Sequence, residues 1–279
     1  SERLKMNKQV VFLLWHFILG FVLFGQDSLF PLRFNPAMAV SKESVQHRSE
    51  KTFPTAFSSL SIPFFDDFAR RSFRPDTGKW LPGSAVYINT GYPRAPFTIG
   101  AATFDGLNEF GYPYNISAGV NSSAGADTLT SKPINLGFLN SADSSVYLSF
   151  FYQARGWGDA PETADSLVLE FFRSSDTSWN AAWAKAGFNP GVNDSSWRYV
   201  MVKVPGTSGY FNNSFQFRFR NRATPSGALD HWHLDYVLLN AGRTKGDSSF
   251  KDIAFGYQAP SLLRSYSSMP YRSEEHTSE

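Results

Sequence analysis

The stretch that most constrains this 279-residue chain is Phe215-Gln-Phe-Arg-Phe-Arg220. Successive side chains of an extended strand point to opposite faces. Phe215, Phe217 and Phe219 therefore share one face, and Gln216, Arg218 and Arg220 share the other. A strand with one all-Phe face must bury it against a second layer, which places the Phe row between two sheets. The Arg/Gln row then meets water or a ligand. Val146-Tyr-Leu-Ser-Phe-Phe-Tyr-Gln153 sorts the same way, with Val146, Leu148, Phe150 and Tyr152 on one face.

Similar alternating or apolar runs, rich in aromatic and β-branched residues, fall at 62–68, 85–89, 98–104, 127–136, 145–153, 166–172, 197–204, 214–220 and 232–240. Turn clusters separate them, among them Tyr92-Pro-Arg-Ala-Pro96, Asn121-Ser-Ser-Ala-Gly125 and Pro205-Gly-Thr-Ser-Gly209. No segment keeps a helical period. About nine strands without βαβ spacing predict an all-β fold, a two-sheet antiparallel jelly-roll sandwich. The 27 Phe residues then belong mostly to its core. Charged residues at 18% and aromatics at 16% exclude wholesale disorder. With no cysteine there is no disulfide framework, thiol nucleophile or thiolate zinc site. A net charge of +2 gives no electrostatic case for nucleic acid.

Both ends read as something other than fold. Met6-Asn7-Lys8 precedes a 15-residue apolar run, Val10 to Phe24. A basic start, a short apolar core and small Gly25 predict a secretory signal peptide over residues 1–25, with residues 1–5 upstream of the start. The run is shorter than the ~20 residues of a membrane helix, so no stable span is expected after cleavage. Residues 26–60 lack periodicity and read as a linker, and residues 61–244 as the sandwich. Residues 245–271 read as a connector to a further domain. The tail at 272–279 matches the translation of a widely used sequencing adapter.

Phe64-Phe65-Asp66-Asp67-Phe68 opens the sandwich, Phe217-Arg-Phe-Arg-Asn221 comes near its end, and Leu234-Asp235-Tyr236-Val237 closes it. Together these resemble the cleaved-adhesin and MAM-like (concanavalin A-like) jelly rolls of bacterial surface proteins. The stretches Ile99-Gly-Ala-Ala-Thr-Phe-Asp-Gly-Leu-Asn108 and Asp127-Thr-Leu-Thr-Ser-Lys-Pro133 further resemble type IX-secreted proteins of Bacteroidota. The resemblance covers residues 61–244. It implies a structural calcium where first and last strands meet, with Asp235 and one of Asp66 and Asp67 as ligands. Tyr236 stands where a second Asp often sits in that group. The alternative is that the aspartates cap turns or pair with Arg218 and Arg220.

His231-Trp-His233 places two imidazoles on one strand face about 6.8 Å apart at Cα, close enough to share one zinc. The sequence offers no third histidine in the domain, and cross-strand hydrogen bonding beside Glu170 or the arginines is the competing role. The glutamates of the sandwich are Glu109, Glu162 and Glu170, and no catalytic carboxylate run, nucleophile elbow or phosphate loop is visible. Asp127-Thr-Leu129 and Asp165-Ser-Leu167 match a short O-glycosylation pattern of those bacteria. Loop aromatics are the better binding candidates, with plugging of the sandwich ends as core their competing role. Trp157 lies in Arg155-Gly-Trp-Gly-Asp-Ala-Pro161, Trp179 and Trp183 flank Asn180-Ala-Ala182, and Tyr92 and Tyr112 sit in Pro/Gly turns. The sequence thus predicts a secreted, non-enzymatic module for adhesion to a surface glycan or extracellular protein. Its candidate contacts are Trp157, Tyr92, Tyr112, Arg218, Arg220, His231 and His233. A spacer for a downstream module is the second expectation, and a glycan hydrolase using Glu170 the third.

Overall fold

The computed structural model describes residues 33–39, 59–69, 72–140 and 145–247. All of them belong to the second of two compact units, Leu32–Glu279. The expected signal peptide, most of the 26–60 segment, the connector beyond 247 and the 272–279 tail lie outside the described residues. No helix among the described residues is long and apolar enough to cross a membrane.

Ten strands follow a single helical turn, α1 (Pro36–Ala39): β1 (Phe64–Asp66), β2 (Tyr87–Asn89), β3 (Ala101–Phe104), β4 (Ala124–Thr130), β5 (Tyr147–Ala154), β6 (Ser166–Arg173), β7 (Ser178–Ala186), β8 (Arg198–Lys203), β9 (Phe217–Ala223) and β10 (Trp232–Asn240). One sheet runs β2-β3-β10-β5-β8, and the other β4-β9-β6-β7. Every ladder is antiparallel. Counted from β3 to β10, the strands fall in the order first-eighth-third-sixth and second-seventh-fourth-fifth, which is a jelly roll. β1 and β3 share one edge of β10, pairing with Val237–Leu239 and Trp232–Leu234 respectively.

The inner faces follow from the alternation. Phe215, Phe217 and Phe219 are fully buried. Phe217 meets Phe64 edge-on at 5.1 Å and Trp80 at 5.6 Å, and Phe219 meets Phe150 at 4.9 Å. Edge-to-face rings across the gap add ~1 kcal/mol each to the burial itself. A bulge in β10 between Asp235 and Leu238, with Tyr236 at φ 55°, resets the facing. Trp232 and Leu234 point inward before it, and Val237 and Leu239 after it.

Two expectations need correction. Trp179 and Trp183 lie on a strand, β7, not in a loop. Part of the expected linker is also packed against the sandwich. The Asn35 amide donates to the Gly111 carbonyl at 2.7 Å, Met38 is buried, and a Cβ on Gly111 would lie 2.8 Å from that of Met38.

Residues 90–98, the Tyr-Pro-Arg-Ala-Pro turn, form a strap over the outer face of the larger sheet. The Gln153 amide clamps Arg94 from both sides, accepting from its N–H at 2.7 Å and donating to its carbonyl at 2.8 Å. The Trp197 indole N–H donates to the same carbonyl at 2.9 Å. This cover explains why the outward-facing His231, His233 and Asp235 of the β10 region are buried.

Candidate functional site

Tyr87, Asn89, Thr90, Gly91, Tyr92 and Trp157 line a surface cleft between the β2 end of the strap and the β5–β6 connection. Two glycines set its geometry. Gly156, at φ 59°, lies so close to the strap and to β10 that a Cβ would stand 2.2 Å from the Tyr92 carbonyl and 2.6 Å from His233 Nε2. A Cβ on Gly158 would stand 2.5 Å from His231 Nδ1. The backbone therefore presses onto the histidines on both sides of Trp157, and the indole is left outside, 68% exposed. The Trp157 amide donates to the Tyr92 carbonyl at 2.8 Å, which fixes the loop to the strap. The Arg94 guanidinium lies over the indole at 5.0 Å. Asn89 caps the turn by accepting from the Gly91 and Tyr92 amides.

Behind the cleft, Tyr92 packs on His231 with ring centroids 4.6 Å apart. His231 Nδ1 accepts from the Asp159 amide at 3.0 Å, and His233 bonds Thr103 Oγ1 at 2.9 Å and the Arg155 carbonyl at 3.2 Å. Burial lowers His231 to about 4 and, with the nearby His231 charge adding to it, His233 to about 3. Both are neutral supports of the loop that carries Trp157. Neither belongs to a cluster of metal-ligating groups among the described residues, so the zinc arrangement is not assembled.

Of the expected calcium set, Asp66 is not brought to Asp235, whereas the Thr98 hydroxyl lies between the Asp67 carbonyl, at 2.8 Å, and the Asp235 carboxylate, at 3.3 Å. Asp66 faces the core side of β1, where it accepts from the Trp80 indole at 2.6 Å and from Lys79 at 3.0 Å. Asp67 accepts from the Ala69 amide at 3.2 Å. Asp235 lies on the opposite face, under the strap, accepting from its neighbour's amide at 2.7 Å and from Thr98 Oγ1 at 3.3 Å. Burial pushes its carboxyl up to about 8, with the Asp67 charge contributing and the Tyr236 and Thr98 hydrogen bonds opposing. The bulge that turns Val237 inward separates Asp235 from Asp66, although their strands are paired.

The remaining candidates are dispersed. Arg218 and Arg220 lie on the outer face of the smaller sheet, where their Nε atoms hold the two oxygens of Glu170 at 2.6 and 2.9 Å. Arg218 also lies 4.2 Å from the Trp179 ring. Tyr112 is half exposed and stacks on Phe34 at 6.3 Å, away from the cleft lining. Of the sequence candidates, only Trp157 and Tyr92 line one cleft, with His231 and His233 beneath them.

Two acidic groupings were not among the site candidates read from the sequence. Asp105 and Asp127 are buried together; burial raises both, Asp105 to about 7, and Asp127 accepts from Tyr114 Oη at 3.0 Å. Asp159, Glu162 and Asp230 bring one carboxylate oxygen each within 4.8 Å of the others. Asp159 and Glu162 come from the β5–β6 connection and Asp230 from the β9–β10 connection, so linear spacing does not reveal them.

No protein-family model matches the chain, and no curated protein does. Solved structures are similar to it at low identity and with TM-scores below 0.5. The CBM22-1 xylan-binding domain of Paenibacillus barcinonensis Xyn10C is 11% identical, with 68% of this chain and 99% of that one covered and a TM-score of 0.38. The K3 cleaved adhesin domain of the Lys-gingipain of Porphyromonas gingivalis is 12% identical, covering 51% and 75%, with a TM-score of 0.30. An arabinose-bound MgGH51 α-L-arabinofuranosidase is 11% identical over 62% of this chain and 25% of that one, with a TM-score of 0.37. No ligand or activity transfers from likeness at this level.

Proposed function

We propose that this chain is a non-catalytic binding module that recognises a glycan at the Tyr87/Tyr92/Trp157 cleft. The observation that carries the reading is the placement of Trp157. An indole 68% exposed, beside two tyrosines and on a loop fixed by close glycine contacts, is a preformed apolar platform. The C–H faces of a sugar ring stack on such a surface, and the adjacent polar groups meet its hydroxyls. The non-catalytic reading is supported by Glu170, the glutamate found within the strands, whose two oxygens are each held by an arginine. Secretion and display at a cell surface belong to the same proposal and are supported by the apolar run at residues 10–24.

A protein partner is the second reading. Phe97, 45% exposed, supports it: the ring lies on Phe151 at 4.4 Å and Trp197 at 5.6 Å, an apolar patch on the far side of the strap.

A glycan array followed by calorimetry on the bound sugar tests the first reading. Trp157→Ala is expected to weaken binding at least about tenfold, equivalent to ~1.4 kcal/mol. Its melting temperature should stay within about 2 °C of the parent, because surface substitutions of this kind cost little. Undiminished sugar binding in both Trp157→Ala and Tyr87→Ala would place the ligand elsewhere. Loss of a protein partner in Phe97→Ser would favour the second reading.

A further inference from the structure

We propose that Asp159, Glu162 and Asp230 bind a calcium ion that ties the β5–β6 connection to the residue preceding His231 and β10. This site is separate from Asp66, Asp67 and Asp235, and it stands independently of the glycan reading.

The donor set has the right chemistry. Three carboxylate oxygens lie mutually within 4.8 Å, a spread that one ion with oxygens at about 2.3–2.6 Å can span. The set contains no thiolate or imidazole, which favours a hard cation over zinc. Two of the three side chains, Asp159 and Glu162, are exposed, so hydrated calcium can enter and waters can complete its coordination. Magnesium demands a tighter octahedron and gives up its waters reluctantly, so calcium is the better fit to this wide, irregular set.

The independent observation is Asp230. It is fully buried, and its Oδ2 accepts the Thr224 amide at 2.6 Å. Its Oδ1 is also buried and accepts no hydrogen bond from an N–H or hydroxyl, and the Glu162 carboxyl lies within hydrogen-bond reach of Asp230. Oδ1 is thus the oxygen left to meet Asp159 and Glu162. A buried carboxylate oxygen crowded by two more carboxylates is costly, and the cost is relieved either by a proton shared with Glu162 or by a cation standing among them. Among the described residues no ion pair joins any of the three to a lysine or arginine. The nearby Arg155 instead donates to Asn193 Oδ1 at 2.5 Å. Asp165 adds a fourth acid to the neighbourhood, its Oδ2 accepting the Glu162 amide at 3.0 Å.

The test uses the full chain, stripped with chelator and titrated with calcium chloride in a calorimeter, with melting followed in parallel. One calcium per chain is expected, with a Kd in the range of about 10⁻⁵ to 10⁻³ M. The melting temperature should rise by several degrees at calcium well above that Kd. Glu162→Gln, at an exposed position, should fold normally and weaken calcium at least about tenfold; Asp159→Asn should act likewise. No heat and no melting shift at millimolar calcium, in a chain shown to be folded, would overturn the proposal. Unchanged calcium affinity in the Asp159→Asn/Glu162→Gln double variant would also overturn it, as would a preference for magnesium.

Discussion

Asp235 sits where ionisation is opposed by its surroundings. Burial under the strap raises its carboxyl in the fold to about 8, against about 3.9 in an unfolded chain. A carboxyl with a raised folded-state pKa contributes stability that is fully present below the unfolded value and lost as pH rises through the folded one. Asp235→Asn keeps an acceptor for the Tyr236 amide and removes the titration. Relative to the parent, its melting temperature should therefore climb by several degrees between about pH 5 and pH 9. A difference that stays flat across that range would show the carboxyl to be ionised in the fold. His231 and His233 act in the opposite direction. Their folded values of about 4 and 3 lie below the unfolded ~6.5, so what they contribute is present above pH ~6.5 and lost as pH falls through the folded values. At this scale the sequence was legible where chemistry is local. Glycines on both sides of Trp157 announce a tight loop, whereas the exposure of its indole, which could equally have plugged the sandwich end, is seen only in the structure. The sequence was silent on Asp159, Glu162 and Asp230, which only the jelly-roll connections bring together.

β7 shows what pattern alone misses at the scale of the element. Ser178-Trp-Asn-Ala-Ala-Trp-Ala-Lys-Ala186 is rich in alanine and poor in β-branched residues, so nothing in it signals a strand. Pairing with β6 makes it one. The even spacing of Trp179 and Trp183 would put both on one face, yet a bulge opposite Leu169 and Glu170 separates them. Trp183 turns inward onto Phe150 at 5.2 Å and Tyr152 at 5.1 Å. Trp179 turns outward, against Phe172 and Arg218. Trp183→Ala is expected to cost about 3 kcal/mol in denaturant unfolding. Trp179→Ala should cost about 1 kcal/mol or less, the scale of a surface cation–π contact. Equal costs would contradict the bulge. β10 is the opposite case, predicted and observed over residues 232–240, because its aromatic and branched side chains mark it throughout.

The whole molecule is a sandwich that takes in more chain than its strands require. Before β1, α1 seats Met38 and Asn35 against the Gly111 loop. After β10, Arg243 is buried and donates to Ser149 Oγ at 2.8 Å and to the Leu238 carbonyl at 3.1 Å. A protein of residues 33–247 is therefore expected to melt a few degrees above one of residues 59–247, as scanning calorimetry would show; identical midpoints would mean that the α1 contact adds nothing. The sandwich itself was legible from alternation, since each buried Phe row demands a second layer. The α1 contact was not, because one buried Met in a polar stretch leaves no periodic trace.

The strand order also governs when this fold can appear. Among the described residues, the pairings that join strands adjacent along the chain are β2 with β3 and β6 with β7. All others wait for β8, β9 or β10, and β10 lies in the middle of its sheet. A growing chain thus carries its Phe-rich segments without a finished layer until residues 217–240 have been made. Such late, non-local closure makes folding slow and exposes apolar strands meanwhile. Until then the pairings open to the chain among the described strands are β2 with β3, β6 with β7 and β5 with β8, so the finished two-layer core should appear in one late step.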